Sequence, residues 1–278
     1  MLSKVMRAYD EEGFRIDMGN PSRVYSTLID SRGHRSLSVS GGLTVSDVFV
    51  FMQLERLFSP KNIFVIGNSF GLSTFVLAEL FPSALVDAID AEVEGMDVAQ
   101  GTELTRRIAH RYFPNVQVTV GFSPQDVDQA RRSDTYELLF VDGLHTNEQM
   151  LKDYHGMLPF AAQECVFVFH DVGYANMWDA WTTILEVSRP LGFRGIPLGY
   201  TQLGTCILAR CRPELLRYLD GLATDFSGAY RATAADTSAV AFQTRPFFWD
   251  LSFGHLERLL RRKIKSLATR VTHSAASR

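Results

Sequence analysis

Apolar positions in this chain fall into two rhythms. Short, nearly continuous apolar runs occur at 61–66, 84–89, 116–120, 138–141 and 166–169. Runs of that length, bounded by turn residues, read as strands buried on both faces. Longer segments with a polar face, at 96–113 and between 142 and 165, read as helices, as do 72–81 and 125–131. Strand and helix alternate, which predicts a largely parallel sheet joined by right-handed crossovers. Two further apolar runs, 193–196 and 204–209, are separated only by 197–203 and predict an antiparallel hairpin at one sheet edge. Residues 44–58 predict a buried helix leading into the first of the parallel strands. Asp47 follows Thr44 by three positions, a capping-box start, and Pro60 stops the segment.

The strands at 138–141 and 166–169 carry the densest chemistry at their ends. Asp142 and His145 follow the first, and His170 and Asp171 end the second. Parallel neighbours joined by one crossover end on the same sheet edge, so these four side chains are expected at one mouth. Ligands of open α/β sheets bind at that edge. Two carboxylates with imidazoles suit a divalent cation, a proton acceptor, or both. Plainer roles stay open: His145 can cap the crossover helix, and His170 can hydrogen-bond a neighbouring loop. The first parallel strand runs into Gly67-Asn68-Ser69-Phe70-Gly71 before the next helix. A glycine-rich turn there lets a ligand approach the backbone and the helix N-terminus, although the spacing is not that of the dinucleotide fingerprint. Asp90 ends the second strand, 19 residues after Gly71. It is placed either to accept ribose hydroxyls or to cap a helix, with Glu92 and Glu94 as competitors.

Composition narrows the class without naming the chemistry. The chain has 278 residues, 46% of them hydrophobic and 21% charged, with a formal net charge of −3. That balance fits a globular domain and argues against a general nucleic-acid binder. Cys165, Cys206 and Cys211 lack metal-ligand spacing; Cys165 and Cys206 lie in strand-like apolar runs and read as buried thiols, which fits a reducing, cytoplasmic setting. No run is long enough for a membrane span, and the N-terminus lacks a signal-peptide core. Residues 1–42 predict short helices and a loop over the sheet mouth or a partner subunit, with Arg32-Gly33-His34-Arg35 as a basic patch. Tyr174, Trp178 and Trp181 follow the second site strand. Residues 213–222 predict a helix, 223–244 a polar loop, and 256–270 a basic amphipathic helix suited to solvent, an oligomer contact or an anionic surface.

Taken together, these motifs resemble the class I S-adenosylmethionine-dependent methyltransferases. The likeness is nearest to the branch of macrocin- and mycinamicin-type sugar O-methyltransferases and catechol O-methyltransferase-like enzymes. It covers residues 60–210. It rests on 64–71, on Asp90, on Gly121-Phe122-Ser123, and on Asp142-Gly143-Leu144-His145 followed by Asp153 and then His170-Asp171. The resemblance implies a doubly wound α/β fold of seven strands, the last antiparallel. An N-terminal helical cap over 1–59 would precede a cofactor-binding core over 60–211, and a C-terminal helical extension over 212–278 would follow it. It implies S-adenosylmethionine contacts from Gly67, Asn68, Ser69, Phe70, Gly71, Ser73, Asp90, Ala91, Phe122, Ser123 and Asp142. It implies a divalent cation, magnesium or another, on Asp142, His170 and Asp171. His145, with Asp142, would be catalytic, and the partner a small hydroxyl acceptor of sugar-like or polyhydroxylated type. The chain departs from the family where Val65 replaces a common acid and where an imidazole, His170, stands in a usual carboxylate position. A metal-independent enzyme of another acceptor class, a nicotinamide-dependent oxidoreductase and an inactive cofactor-binding scaffold are the competing expectations.

Overall fold

A computed structural model describes residues 2–17, 27–30, 39–40, 43–93, 98–198, 201 and 203–223. The chain opens with α1 (Ser3–Glu11), followed by β1 (Phe14–Asp17), β2 (Thr27–Asp30) and β3 (Val39–Ser40). Next come α2 (Val45–Glu55), β4 (Asn62–Ile66), α3 (Leu72–Leu80), β5 (Leu85–Asp90), α4 (Val98–Tyr112) and β6 (Val116–Val120). Then follow α5 (Val127–Ala130), β7 (Tyr136–Val141), α6 (Asn147–Met157), β8 (Ala161–Phe169), α7 (Trp178–Ser188), β9 (Arg194–Leu198), β10 (Thr205–Arg210) and α8 (Pro213–Leu222).

The main sheet has seven strands in the order β6-β5-β4-β7-β8-β10-β9. Pairings from β6 through β8 are parallel. β10 runs antiparallel to both β8 and β9, forming the expected hairpin. The order reverses between β4 and β7, the switch point where a crevice opens at the carboxyl ends of the strands. Most residues of the runs at 61–66, 84–89, 138–141 and 166–169 are buried, as parallel strands covered on both faces require, whereas the edge strand β6 is buried only in part.

Residues 1–42 hold more than a helix and a loop. Beyond α1, they add a three-stranded antiparallel sheet, β1-β2-β3. Its strands are too short for period-two alternation to register, which is why sequence periodicity missed it. α1 has no side-chain N-cap of its own. Glu79 on α3 supplies one instead: Lys4 N and Val5 N donate to its carboxylate at 3.3 and 2.8 Å. Tyr9 packs edge-on against Phe75, and Phe75 stacks on Phe113 at 4.9 Å. Burying each such ring is worth about 1.5–3 kcal/mol. These contacts fasten α1 to the helices behind β4 and β5.

The α2 capping box forms as expected. Thr44 accepts from Asp47 N, and Asp47 accepts from Thr44 N. The predicted helix over 125–131 shortens to α5. The basic patch at Arg32–Arg35, Glu94, and the C-terminal loop and basic helix from 224 onward lie outside the described residues. Among the described residues, no helix is long and apolar enough to cross a membrane.

Candidate active site at the carboxyl edge of the sheet

The strand tips at the switch point are locked in series. Asp142 N donates to Ile66 O at 2.8 Å, and His170 N donates to Val141 O at 3.0 Å. Gly67 N donates to Ile89 O, and Gly121 N to Asp90 O. The residues immediately after β4, β5, β7 and β8 therefore share one edge. Gly67 has φ +87°, and a Cβ there would sit 1.9 Å from the Asp142 carbonyl oxygen. Only glycine lets β4 and β7 close this tightly, and that closeness sets where Asp142 emerges.

Asp142, His145, His170 and Asp171 do converge. His170 Nδ1 lies 2.9 Å from Asp142 Oδ1 and 3.3 Å from Asp171 Oδ1. His145 Nε2 lies 3.0 Å from Asp171 Oδ2 and 3.3 Å from Asp142 Oδ1. Asp171 has a left-handed φ of 56°, unusual for a side-chain-bearing residue. Its Oδ1 is buried without a hydrogen-bond partner; the approach to His170 Nδ1 is an ion-pair distance only. A small cavity beside the cluster is lined by Asp142, His145, Met150, Asp153, Phe169 and Met177, among others.

A fifth member comes from far away in the chain. His170 Nε2 lies 3.1 Å from Oδ2 of Asp47, 123 residues earlier. The same carboxylate accepts from Thr44 N and Thr44 Oγ1 at 2.9 and 2.6 Å, and from Thr205 Oγ1 at 2.7 Å. The capping box showed Asp47 as a helix-end residue. Its second role has no local sequence signal.

Charge governs the titration of this cluster. Burial disfavours a charged ring, yet hydrogen bonds that the ring donates to Asp142 and Asp171, and the charges of those carboxylates, hold His145 well above the usual histidine range. Burial likewise opposes His170, and the charges of Asp142, Asp171 and Asp47 overcome it and raise its pKa. Burial pushes Asp171 upward, but the two imidazoles outweigh it and hold the carboxyl far below its ordinary value. Asp153, nearby in α6, lacks an opposing cation as close. Burial raises it to about 6 despite a hydrogen bond from Gln149.

The glycine-rich turn sits beside this cluster, stabilised from below. Asp90 Oδ2 accepts from Asn68 N and Ser69 N at 2.7 and 2.6 Å, and Oδ1 accepts from Glu92 N at 2.7 Å. In this state Asp90 shapes the turn, and its remaining lone pairs are what it can offer a ribose. Asn68 points inward, bonded to Thr74 and Thr105. Phe70 and Ser73 are buried as well. These three can meet a ligand through main chain more readily than through side chains. Gly101 of α4 faces the turn; a Cβ there would sit 2.5 Å from Ser69 O. On the other flank Ala91 is half-buried, the Phe122 ring is 45% exposed and Ser123 is buried. The Ser123 carbonyl accepts from Gln149 Nε2 at 2.7 Å. Tyr174 is exposed, whereas Trp181 is buried against Phe169.

Comparison with known proteins finds a similar domain over this stretch. A family described as a methyltransferase domain matches residues 64–172, the stretch that holds the turn, Asp90 and all four clustered side chains. No curated protein sequence matches the chain. Among solved structures, the O-methyltransferase TomG from Streptomyces achromogenes, involved in tomaymycin synthesis and crystallised with SAM, aligns with a TM-score of 0.51 at 14% identity. The alignment covers 63% of this chain and 83% of that one. A putative O-methyltransferase from Klebsiella pneumoniae aligns with a TM-score of 0.51 at 13% identity, over 76% of this chain and 90% of that one. At such identities the likeness is one of fold. Residues 64–172 thus resemble a methyltransferase domain, within a seven-stranded Rossmann-like sheet.

Proposed function

We propose that this protein transfers the methyl group of S-adenosylmethionine to a hydroxyl of a small, polyhydroxylated or sugar-like acceptor, at the mouth formed by Asp142, His145, His170 and Asp171. One observation carries the reading: two carboxylates and two imidazoles meet at the switch point, beside the glycine turn that leads into the N-terminus of α3. The methyltransferase domain, and the SAM held by TomG, support the cofactor. A nicotinamide cofactor is disfavoured by the glycine spacing and by the Asp-Gly-x-His and His-Asp pair.

The reaction is a displacement at a sulfonium carbon. The acceptor oxygen forms a bond to the methyl carbon, the carbon–sulfur bond breaks with its electron pair left on sulfur, and the hydroxyl proton must go to a base. His145 is that base. Asp142 and Asp171 both approach its Nε2 and stabilise the imidazolium formed when the ring takes the proton. The buried walls given by Met150, Phe169 and Met177 exclude water and strengthen those charges.

The residues also fit a divalent cation. Asp142, His170 and Asp171 each offer a ligand atom, all within 4.8 Å of one another, and Asp171 Oδ1 is the buried oxygen that lacks a donor. A cation on these groups would lower the pKa of an acceptor hydroxyl and orient it.

The test is transfer of labelled methyl from S-adenosylmethionine into a panel of sugars and vicinal diols. Wild-type protein is expected to label hydroxyl oxygen, and Asp142→Asn to lose at least about 100-fold. Labelling of nitrogen alone, or an unchanged Asp142→Asn rate, would overturn the assignment.

A further inference from the structure

The environment of His170 goes beyond assigning it as one ligand among three. Asp47 accepts four hydrogen bonds and is 1% exposed. An ionised carboxylate only accepts, so the proton between it and His170 belongs to Nε2. That fixes the ring, and Nδ1 is turned towards Asp142 Oδ1 at 2.9 Å and Asp171 Oδ1 at 3.3 Å. Two carboxylate oxygens and an imidazole nitrogen facing one another need a positive charge among them, supplied either by a second proton on the ring or by a bound cation. Asp171 Oδ1, on a residue 8% exposed, has no hydrogen-bond donor to supply it.

A carboxylate that holds one imidazole nitrogen while the other faces a cation site is the arrangement that orients metal-ligating histidines and raises their basicity. Imidazole nitrogen suits first-row transition ions, whereas magnesium prefers oxygen ligands and gives up water reluctantly. Resting on the methyltransferase reading for the place of the site but not for its chemistry, we propose that Asp47 is a positioning residue that aims His170 Nδ1 at a transition-metal ion, making this centre selective for ions such as Co2+ or Zn2+ over Mg2+. The lead-in helix α2, outside the matched domain, thereby sets the metal preference of the sheet edge.

The experiment is equilibrium metal binding to the full chain after chelator treatment. Co2+ is followed by its visible absorption and by competition with a chromophoric chelator; Mg2+ is added as competitor. Wild-type protein is expected to bind Co2+ at least about 100-fold more tightly than Mg2+. Asp47→Asn is expected to weaken Co2+ binding about 10–100-fold, and His170→Asp to narrow the Co2+ over Mg2+ preference. Magnesium binding as tight as cobalt in wild-type protein overturns the proposal and needs no variant to fold. Unchanged cobalt affinity in a folded Asp47→Asn overturns the role of Asp47. Calorimetry with S-adenosylhomocysteine on the same chelated samples reads the methyltransferase assignment separately, so either proposal can fall alone.

Discussion

Asp153→Asn isolates one buried charge beside the site. The wild-type side chain is 1% exposed, and burial raises its carboxyl from 3.8 to about 6. A raised carboxyl pKa means the native state binds the proton more tightly than the unfolded chain does. Stability tied to this group is therefore full below about pH 3.8 and lost as pH rises through about 6. The gap between those values corresponds to ~3 kcal/mol. Asparagine keeps the shape and can still accept from Gln149 Nε2, but it cannot ionise. Urea unfolding at intervals from pH 4 to pH 8.5 should show variant and wild type close at the acid end. The variant should gain up to ~3 kcal/mol by pH 8, with unchanged urea dependence. A stability difference that is the same at pH 4 and pH 8 would refute the reasoning, because Asp153 would then not be paying a charge-burial cost.

Three further outcomes follow from the same geometry. Gly67→Ala places a methyl 1.9 Å from the Asp142 carbonyl at a left-handed φ, so it should cost ~3 kcal/mol or more and lower the melting temperature; a variant as stable as wild type would contradict the strand-tip packing. His145→Ala should reduce methyl transfer at saturating substrates about 100-fold or more with smaller change in cofactor affinity, as read by steady-state kinetics. Because His145 is held above the usual histidine range and must be neutral to accept a proton, the turnover rate should fall with decreasing pH on a limb centred above pH 6.5; a profile flat from pH 6 to 8 would argue against His145 as the base.

The sheet was legible because buried parallel strands write themselves as continuous apolar runs, and each of those at 61–66, 84–89, 116–120, 138–141 and 166–169 became a strand. The convergence of Asp142, His145, His170 and Asp171 followed from topology, since one crossover puts both strand ends on one edge. Other features had no such signal. Asp47 reaches His170 across 123 residues and Thr205 across 158, and no local pattern encodes a contact of that span. The same holds for the half-buried ion pair of Asp87 with Arg132, joined by Tyr136 Oη, which ties the segment before β7 to β5. Asp90 was expected at a ribose or at a helix cap, and its bonds to Asn68 N and Ser69 N show that the carboxylate builds the turn. Side-chain direction in the turn was not readable either: Asn68 turns inward because Thr74 and Thr105 satisfy its amide.

The central claim is that the edge between Gly67 and Asp171 is a sulfonium-nucleoside site. Titrating S-adenosylhomocysteine into the protein in a calorimeter tests it most directly. The account predicts saturable one-to-one binding that Asp90→Ala weakens by at least about tenfold, an effect of ~1.4 kcal/mol. No binding to folded wild-type protein, or equal binding by folded Asp90→Ala, would contradict it.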